Sequence, residues 1–384
     1  MYTPNAAERT KSMKKFISLL CTVSLLFSMT TAFAEAPEVS AKSMILMEAS
    51  TGQILAENNA DERLPIASVT KIMTLLILME NLDSGKIKLD DTVSVSENAM
   101  SMGGSTMFLE SGEELSLDEI IKGIAVASAN DGCIAAAEFL SGDEASFIAL
   151  MNERAKELGM ENTQFKNTNG LDEEGHFSSA RDVAIMSREL IRHEKIFDYT
   201  TIWTGKMHND KFDLSNTNKL IRFYHGANGL KTGSTSQAGC CLSATAKRNG
   251  MQLIAVVLGA PNSKERFAGA RKLLDYGFAN YAVYTPQETE SVSVKKGKKD
   301  TVSVKLADGA GILIGKGNEE KVEEVREVPE EIAAPIAEND KVGIVKFCID
   351  GETVAERDIL AAESVAKKGI CEMFLDILKG FIRV

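Results

Sequence analysis

Leu64-Pro65-Ile66-Ala67-Ser68-Val69-Thr70-Lys71 runs straight into Ile72-Met73-Thr74-Leu75-Leu76-Ile77-Leu78-Met79. Residues 69–80 are apolar on almost every side, which predicts a helix buried all round. At its start, the i to i+3 spacing puts the Ser68 hydroxyl and the Lys71 amine on one face of one turn. A serine hydroxyl is a poor nucleophile until a neighbouring base takes its proton. A lysine becomes that base when burial or a second cation lowers its pKa. Ser-x-x-Lys by itself is common, so the reading depends on its surroundings.

Around this helix the chain mixes strand and helix patterns. Ser43-Met44-Ile45-Leu46-Met47 and Gln53-Ile54-Leu55-Ala56 flank Thr51-Gly52 and predict a hairpin. Ser116 with Glu119 forms a capping box ahead of the apolar positions 120–126. Further helices are expected over 144–158, 180–192 and 264–281. Strands over 240–247 and 252–259 bracket Asn249-Gly250, a strong hairpin turn. The result is an α/β region, of α+β type, whose strands come from both its beginning and its end.

From about residue 285 the texture changes. Val292/Val294, Val302/Val304/Leu306 and Ile312/Ile314 alternate with polar residues, and strands at 342–349 and 353–355 flank Asp350-Gly351. Short alternating strands with regular turns predict a small β domain over 285–360. The acidic stretch 318–340 is expected to be a solvated edge or loop. In 361–384, Ile370, Met373, Phe374, Ile377, Leu378, Phe381 and Ile382 recur at helical spacing, opposite Lys367, Glu372, Asp376, Lys379 and Arg383. Such an amphipathic helix either packs on the β domain or lies in a bilayer interface. The interface is the expectation, because so little chain remains to cover it.

The chain start adds a compartment. Arg9, Lys11, Lys14 and Lys15 precede an apolar run over 16–29, and Ala32-Phe33-Ala34 supplies small residues for cleavage. This order marks residues 1–34 as a secretory signal peptide. Of the six cysteines, five follow residue 34, an odd number that argues against a disulfide framework. Cys133, Cys240, Cys241, Cys348 and Cys371 read as small apolar residues. The 384 residues are 44% hydrophobic and 26% charged with 7 prolines, which excludes wholesale disorder. A net charge of −12 makes a nucleic-acid partner improbable.

Two more triplets share the α/β region with Ser68 and Lys71. Ser128-Ala129-Asn130 offers a hydroxyl to relay protons and an amide to grip a carbonyl. Lys231-Thr232-Gly233 sits where an inner strand is expected, with Gly233 leaving space for a substrate along the backbone. Ser-x-x-Lys, a Ser-x-Asn triplet and Lys-Thr-Gly, in this order, form a known catalytic set. On these residues the chain resembles the low-molecular-mass penicillin-binding proteins, the serine D-alanyl-D-alanine carboxypeptidases of peptidase family S11. Asn169-Gly170-Leu171, His176, Ser179-Ala180-Arg181-Asp182, Asn216-Thr217-Asn218, Gly229-Leu230 and Ser234-Thr235 extend the match. It reaches through the β domain and terminal helix.

The resemblance implies a penicillin-binding/β-lactamase-like catalytic domain over 35–284, an antiparallel sheet with helices, followed by the small all-β domain and the terminal helix. It implies Ser68 as acylated nucleophile, Lys71 as its base and Ser128 as proton relay to the leaving group. Asn130 would hold the substrate amide, and Lys231 would make the site electropositive. The backbone N–H groups of Ser68 and Ser234 would form the oxyanion hole, and Thr232 and Arg266 would take the terminal carboxylate. His176 reads as a structural loop residue rather than a base. The substrate implied is a peptidoglycan stem pentapeptide losing its last D-Ala, with β-lactams as covalent inhibitors and no metal or cofactor. The enzyme would work outside the cell, held peripherally on the outer face of the cytoplasmic membrane by 361–384. Alternatives are a penicillin-recognising sensor and a β-lactamase-like hydrolase; the first conflicts with the intact triplets, and the second would normally lack the appended β domain and helix.

Overall fold

The computed structural model describes residues 37–208, 210–286, 291–307 and 311–374. The expected signal peptide and residues 375–384 of the terminal helix lie outside them. Strands β1 (Ser43–Glu48) and β2 (Ile54–Asn58) form the first hairpin, with Gly52 at a φ of +73° in its turn. They join β3 (Ala227–Thr235), β4 (Gly239–Arg248) and β5 (Met251–Ala260) in an antiparallel sheet of order β2-β1-β5-β4-β3. The β4–β5 turn is Asn249-Gly250, both at positive φ, as a two-residue hairpin of this hand requires.

Alternation along the strands gives the sheet two buried faces. Ile45, Met47, Ile254, Val256 and Leu258 enter one core, which also contains the apolar side chains of helix α1 (Lys71–Asp83). Met44, Leu46, Leu253, Ala255 and Val257 enter a second core against helix α5 (Ser263–Asn280). The first core is completed by α2 (Asn130–Ser141), α3 (Glu144–Glu157) and α4 (Ala180–Leu190). Each large apolar side chain buried there stabilises the fold by about 1.5–3 kcal/mol before chain entropy is counted.

Three local expectations are modified. The predicted helix over 69–80 begins as a 3₁₀ turn, Ala67–Thr70, before α1 proper. At the capping box, Ser116 Oγ accepts from Glu119 N at 3.3 Å, but the Glu119 carboxylate binds Lys122 and accepts from His208 N instead. Val302, Val304 and Leu306 do not share one strand. The chain breaks at Ser303, so that Thr301–Val302 pairs with Val292–Lys295, and Val304–Leu306 with Glu352–Ala361. Alternation alone cannot show that one strand serves two sheets.

The β-rich region has its own core, built from Val292, Val294, Val302, Val345, Phe347, Ile359 and their neighbours. Strand Glu323–Glu327, within the acidic stretch, is the edge of a four-stranded sheet and pairs with Lys341–Ile349. Exposed Glu323 and Glu327 on either side of Val325 discourage further pairing at that edge. Cys133 and Cys241 are buried as expected, but Cys240 and Cys348 are half-buried and Cys371 is exposed; all five are unbridged. Among the described residues, no helix is long and apolar enough to cross a membrane.

Candidate active site

The turn Ala67–Thr70 carries Ser68 to the end of α1 beside the sheet. Ala67 sits at a φ of +48°, a left-handed conformation costly for alanine. Two glycines wrap it. At Gly170, with φ +86°, an added Cβ would lie 1.9 Å from the Ala67 carbonyl oxygen. At Gly233 it would lie 2.8 Å from both Ile66 O and Ser68 N. This adds to the expectation for Gly233: the nucleophile's own turn also demands glycine there.

Lys71 is fully buried, and its Nζ is 3.0 Å from Ser68 Oγ, 2.7 Å from Asn130 Oδ1 and 2.6 Å from Asn169 O. The last two groups can only accept, so they take two N–H bonds. In the neutral amine the remaining lone pair then faces the Ser68 hydroxyl, which is the geometry of a general base. Burial pulls the Lys71 pKa down to about 8, against the opposing pull of the Asp131 carboxylate. Lys231, equally buried, is pushed well below its ordinary value by burial and then by the Lys71 charge, and its Nζ donates to Thr232 O at 3.0 Å.

Ser128 closes an irregular π-turn, Gly123–Ala127, at φ +65°, and is buried at the start of the Asn130 helix. Asn130 is held from both sides: its Oδ1 accepts from Lys71, and its Nδ2 donates to Gly103 O at 2.7 Å. The loop that supplies Gly103 is fixed by Asp131, whose carboxylate accepts from Met107 N (3.0 Å), Leu109 N (3.1 Å) and Gly132 N (2.9 Å). Asp131 thus positions the wall opposite Ser68. The loop it holds is invisible until the fold is known. The same is true of the Asn169 carbonyl on Lys71.

On β3, Thr232 Oγ1 donates to Thr217 Oγ1 at 2.8 Å, while the exposed Ser234 hydroxyl faces Cys240 Sγ at 3.7 Å. Any oxyanion role for Ser234 rests on its N–H group. Arg266 is anchored behind this strand. Its Nη1 donates to Gly233 O (3.0 Å) and Cys241 O (3.2 Å), its Nη2 to Ser263 Oγ (3.2 Å), and its Nε is buried. The guanidinium is held to the strand and helix through Nη1 and Nη2, while its buried Nε has no hydrogen-bond partner.

His176 is buried; Lys166 N donates to its Nδ1, so Nε2 carries the proton and donates to Thr70 Oγ1 at 2.8 Å. Burial pushes its pKa down to about 4, which fits a neutral strut. His193 converges with Glu80 and Glu189, a grouping that spacing did not suggest. The Arg154 guanidinium already donates to both carboxylates, and Glu80 lies more than two turns along α1 from Lys71.

A nucleophile, a buried amine and a strand edge held this way define a serine acyl-transfer enzyme of the penicillin-binding fold. The family model described as D-alanyl-D-alanine carboxypeptidase (peptidase S11) matches residues 30–262, and that of the penicillin-binding protein 5 C-terminal domain matches 278–367. The chain belongs to the S11 family of D-alanyl-D-alanine carboxypeptidases. It is 44% identical to D-alanyl-D-alanine carboxypeptidase DacF of Bacillus subtilis, over 96% of this chain and 97% of that one. With DacC of Escherichia coli it shares 36% identity over 88% of this chain and 89% of the relative. Among solved structures, penicillin binding protein 5 from Haemophilus influenzae superposes with a TM-score of 0.75 at 32% identity, covering 87% of this chain and 100% of the other. Penicillin-binding protein D2 from Listeria monocytogenes, solved in an ampicillin-bound form, gives 0.58 at 31% identity, covering 63% of this chain and 100% of that one.

Proposed function

We propose that this protein removes the terminal D-Ala from peptidoglycan stem pentapeptides through an acyl-enzyme on Ser68. The observation that carries the reading is Lys71 Nζ, 3.0 Å from Ser68 Oγ, with its other contacts to obligate acceptors. Lys71 takes the hydroxyl proton as Ser68 attacks the penultimate D-Ala carbonyl. The N–H groups of Ser68 and Ser234 receive the oxyanion, Asn130 holds the substrate amide, and Lys231 supplies positive field. Ser128 passes the proton to the departing D-Ala amine, and water then frees the enzyme. β-Lactams, which mimic the D-Ala-D-Ala end, acylate the same serine. Mapping the peptide labelled by a fluorescent penicillin tests this: the label should sit on the segment containing Ser68, and label elsewhere would refute the assignment.

The same reading places the enzyme outside the cell, exported by residues 1–34 and held peripherally on the membrane by the helix that starts at Ile370. That start is later than expected because residues 361–367 pair and pack with the β-rich unit. The catalytic unit spans 35–284 and the β-rich unit 285–360. In the described start of the terminal helix, Ile370 and Phe374 stand one turn apart and 83% and 60% exposed, which supports an apolar face left for lipid. Deleting 370–384 should move the mature protein from the membrane to the soluble fraction while penicillin labelling persists. Continued sedimentation with membranes would contradict the anchor.

A further inference from the structure

We infer that His208, paired with Glu113, positions the active-site wall over Asn130 through a proton that the pair holds, so that substrate binding weakens as rising pH removes it. This rests on the reading of Asn130 as the residue that holds the substrate amide.

The wall runs from Gly103 to Leu109 and is pinned at both ends. At one end Asn130 Nδ2 donates to Gly103 O, and Asn130 N to Ser105 O, both at 2.7 Å. At the other, the Asp131 carboxylate takes the Met107 and Leu109 N–H groups, and His208 Nδ1 stands 3.0 Å from Met107 O. Phe108, between these pins, is forced to a φ of +60° and stays 58% exposed. A bulky side chain keeps that conformation only where its surroundings over-determine it. Phe212 braces the arrangement, its ring centroid 4.8 Å from that of Phe108 and 5.3 Å from that of His208.

His208 is buried, and both its ring nitrogens meet oxygen acceptors. Met107 O can only accept, so Nδ1 carries a proton. Nε2 faces Glu113 Oε1 at 2.5 Å, so a second proton lies between those two atoms. Burial works to raise the Glu113 pKa, but the His208 and Lys211 contacts outweigh it and hold the carboxyl below its ordinary value. That leaves the shared proton on the ring. The other charges nearby come from three elements. Lys211, in the same hairpin as His208, lies 3.4 Å from Glu113 Oε1. Glu119, on the helix Leu117–Lys122, accepts from His208 N at 2.7 Å and is paired with Lys122. Asp131 stands across the Met107 backbone. Once the shared proton leaves, an Nε2 lone pair opposes the carboxylate and the ring must withdraw. Nδ1 moves with it, Met107 O is released, and the wall slackens toward Asn130. The clamp therefore holds at low pH and opens as pH rises, the opposite sense to Lys71, which needs the higher pH to become neutral.

The experiment measures KM and kcat for a D-Ala-D-Ala peptide from pH 6 to pH 9, in the mature protein and its His208→Asn and Glu113→Gln variants. One hydrogen bond is worth a factor of about 3 to 10. The KM of the unaltered protein should rise by that much across the range, while kcat follows Lys71. An asparagine amide can donate to Met107 O as Nδ1 does but cannot titrate, so KM of His208→Asn should stay level. In Glu113→Gln the ring gives up its proton more readily, and the rise should begin at lower pH. A flat KM in the unaltered protein, or the same rise in His208→Asn, would overturn the inference. So would variants that differ from the parent by one constant factor at every pH, the mark of a purely structural role. If His208→Asn does not fold, an unshifted rise in Glu113→Gln overturns it on its own. Absence of D-alanine release at every pH would instead overturn the Ser68 reading, and this inference with it.

Discussion

Replacing Lys71 by methionine is expected to lower acylation of Ser68 by at least about 1,000-fold, the scale on which a nucleophile and its base act as a unit. Methionine fills the buried volume but cannot take a proton. Folding should survive the change. Burial brings the amine down from 10.5 to about 8, so between those pH values the folded enzyme binds fewer protons than the unfolded chain. Stability rises with pH through that window, and below pH 8 the full penalty, about 3 kcal/mol, is present. Removing the amine removes that penalty and offsets the hydrogen bonds lost to Asn130 and Asn169. The unaltered enzyme should show its chemical signature in the same assay. Its acylation rate should rise about tenfold per pH unit up to about 8 and then level, since only the neutral amine accepts the proton. A methionine variant that still reacts, or a flat profile from pH 6 to 9, would remove Lys71 from the base role.

Asp131→Asn should have the largest effect on stability outside the catalytic pair. The carboxylate accepts from three backbone N–H groups while almost wholly buried. An amide keeps one acceptor oxygen and turns an NH₂ donor toward donors. Hydrogen bonds to charged groups are worth about 1.5–3 kcal/mol each, so a loss of about 3–4 kcal/mol is expected. For a catalytic unit of about 250 residues that lowers Tm by roughly 6–8 °C. The loop over Asn130 loosens as well, so KM should rise more than kcat falls. Thermal melting with steady-state kinetics checks both parts. An unchanged Tm would show that the loop is held by other contacts.

Much of this arrangement can be read from residue order because its signals are local. The i to i+3 step from Ser68 to Lys71 is fixed by helical geometry, the β4–β5 hairpin by Asn249-Gly250, and the two-faced sheet by alternation in β1 and β5. Contacts between distant segments are not encoded that way. Nothing in Asn169 announces that its carbonyl will meet a lysine 98 positions away. The tightness around Ala67 makes Gly170 and Gly233 necessary, and it exists only once three segments are packed. Arg266 is similar: its place in the chain suggests an anion site, and only the fold reveals that its Nη1 also donates to Gly233 O and Cys241 O. The break at Ser303 is likewise decided by strand partners, not by the local pattern.

The central claim is that Ser68 carries the acyl group in hydrolysis of a D-Ala-D-Ala end. Its most direct test is free D-alanine released from a pentapeptide muropeptide by the mature protein, with Ser68→Ala alongside. The account predicts steady release that disappears in the alanine variant while its melting curve remains cooperative. Release that persists without the Ser68 hydroxyl would contradict it, as would a folded, penicillin-reactive enzyme that liberates no D-alanine.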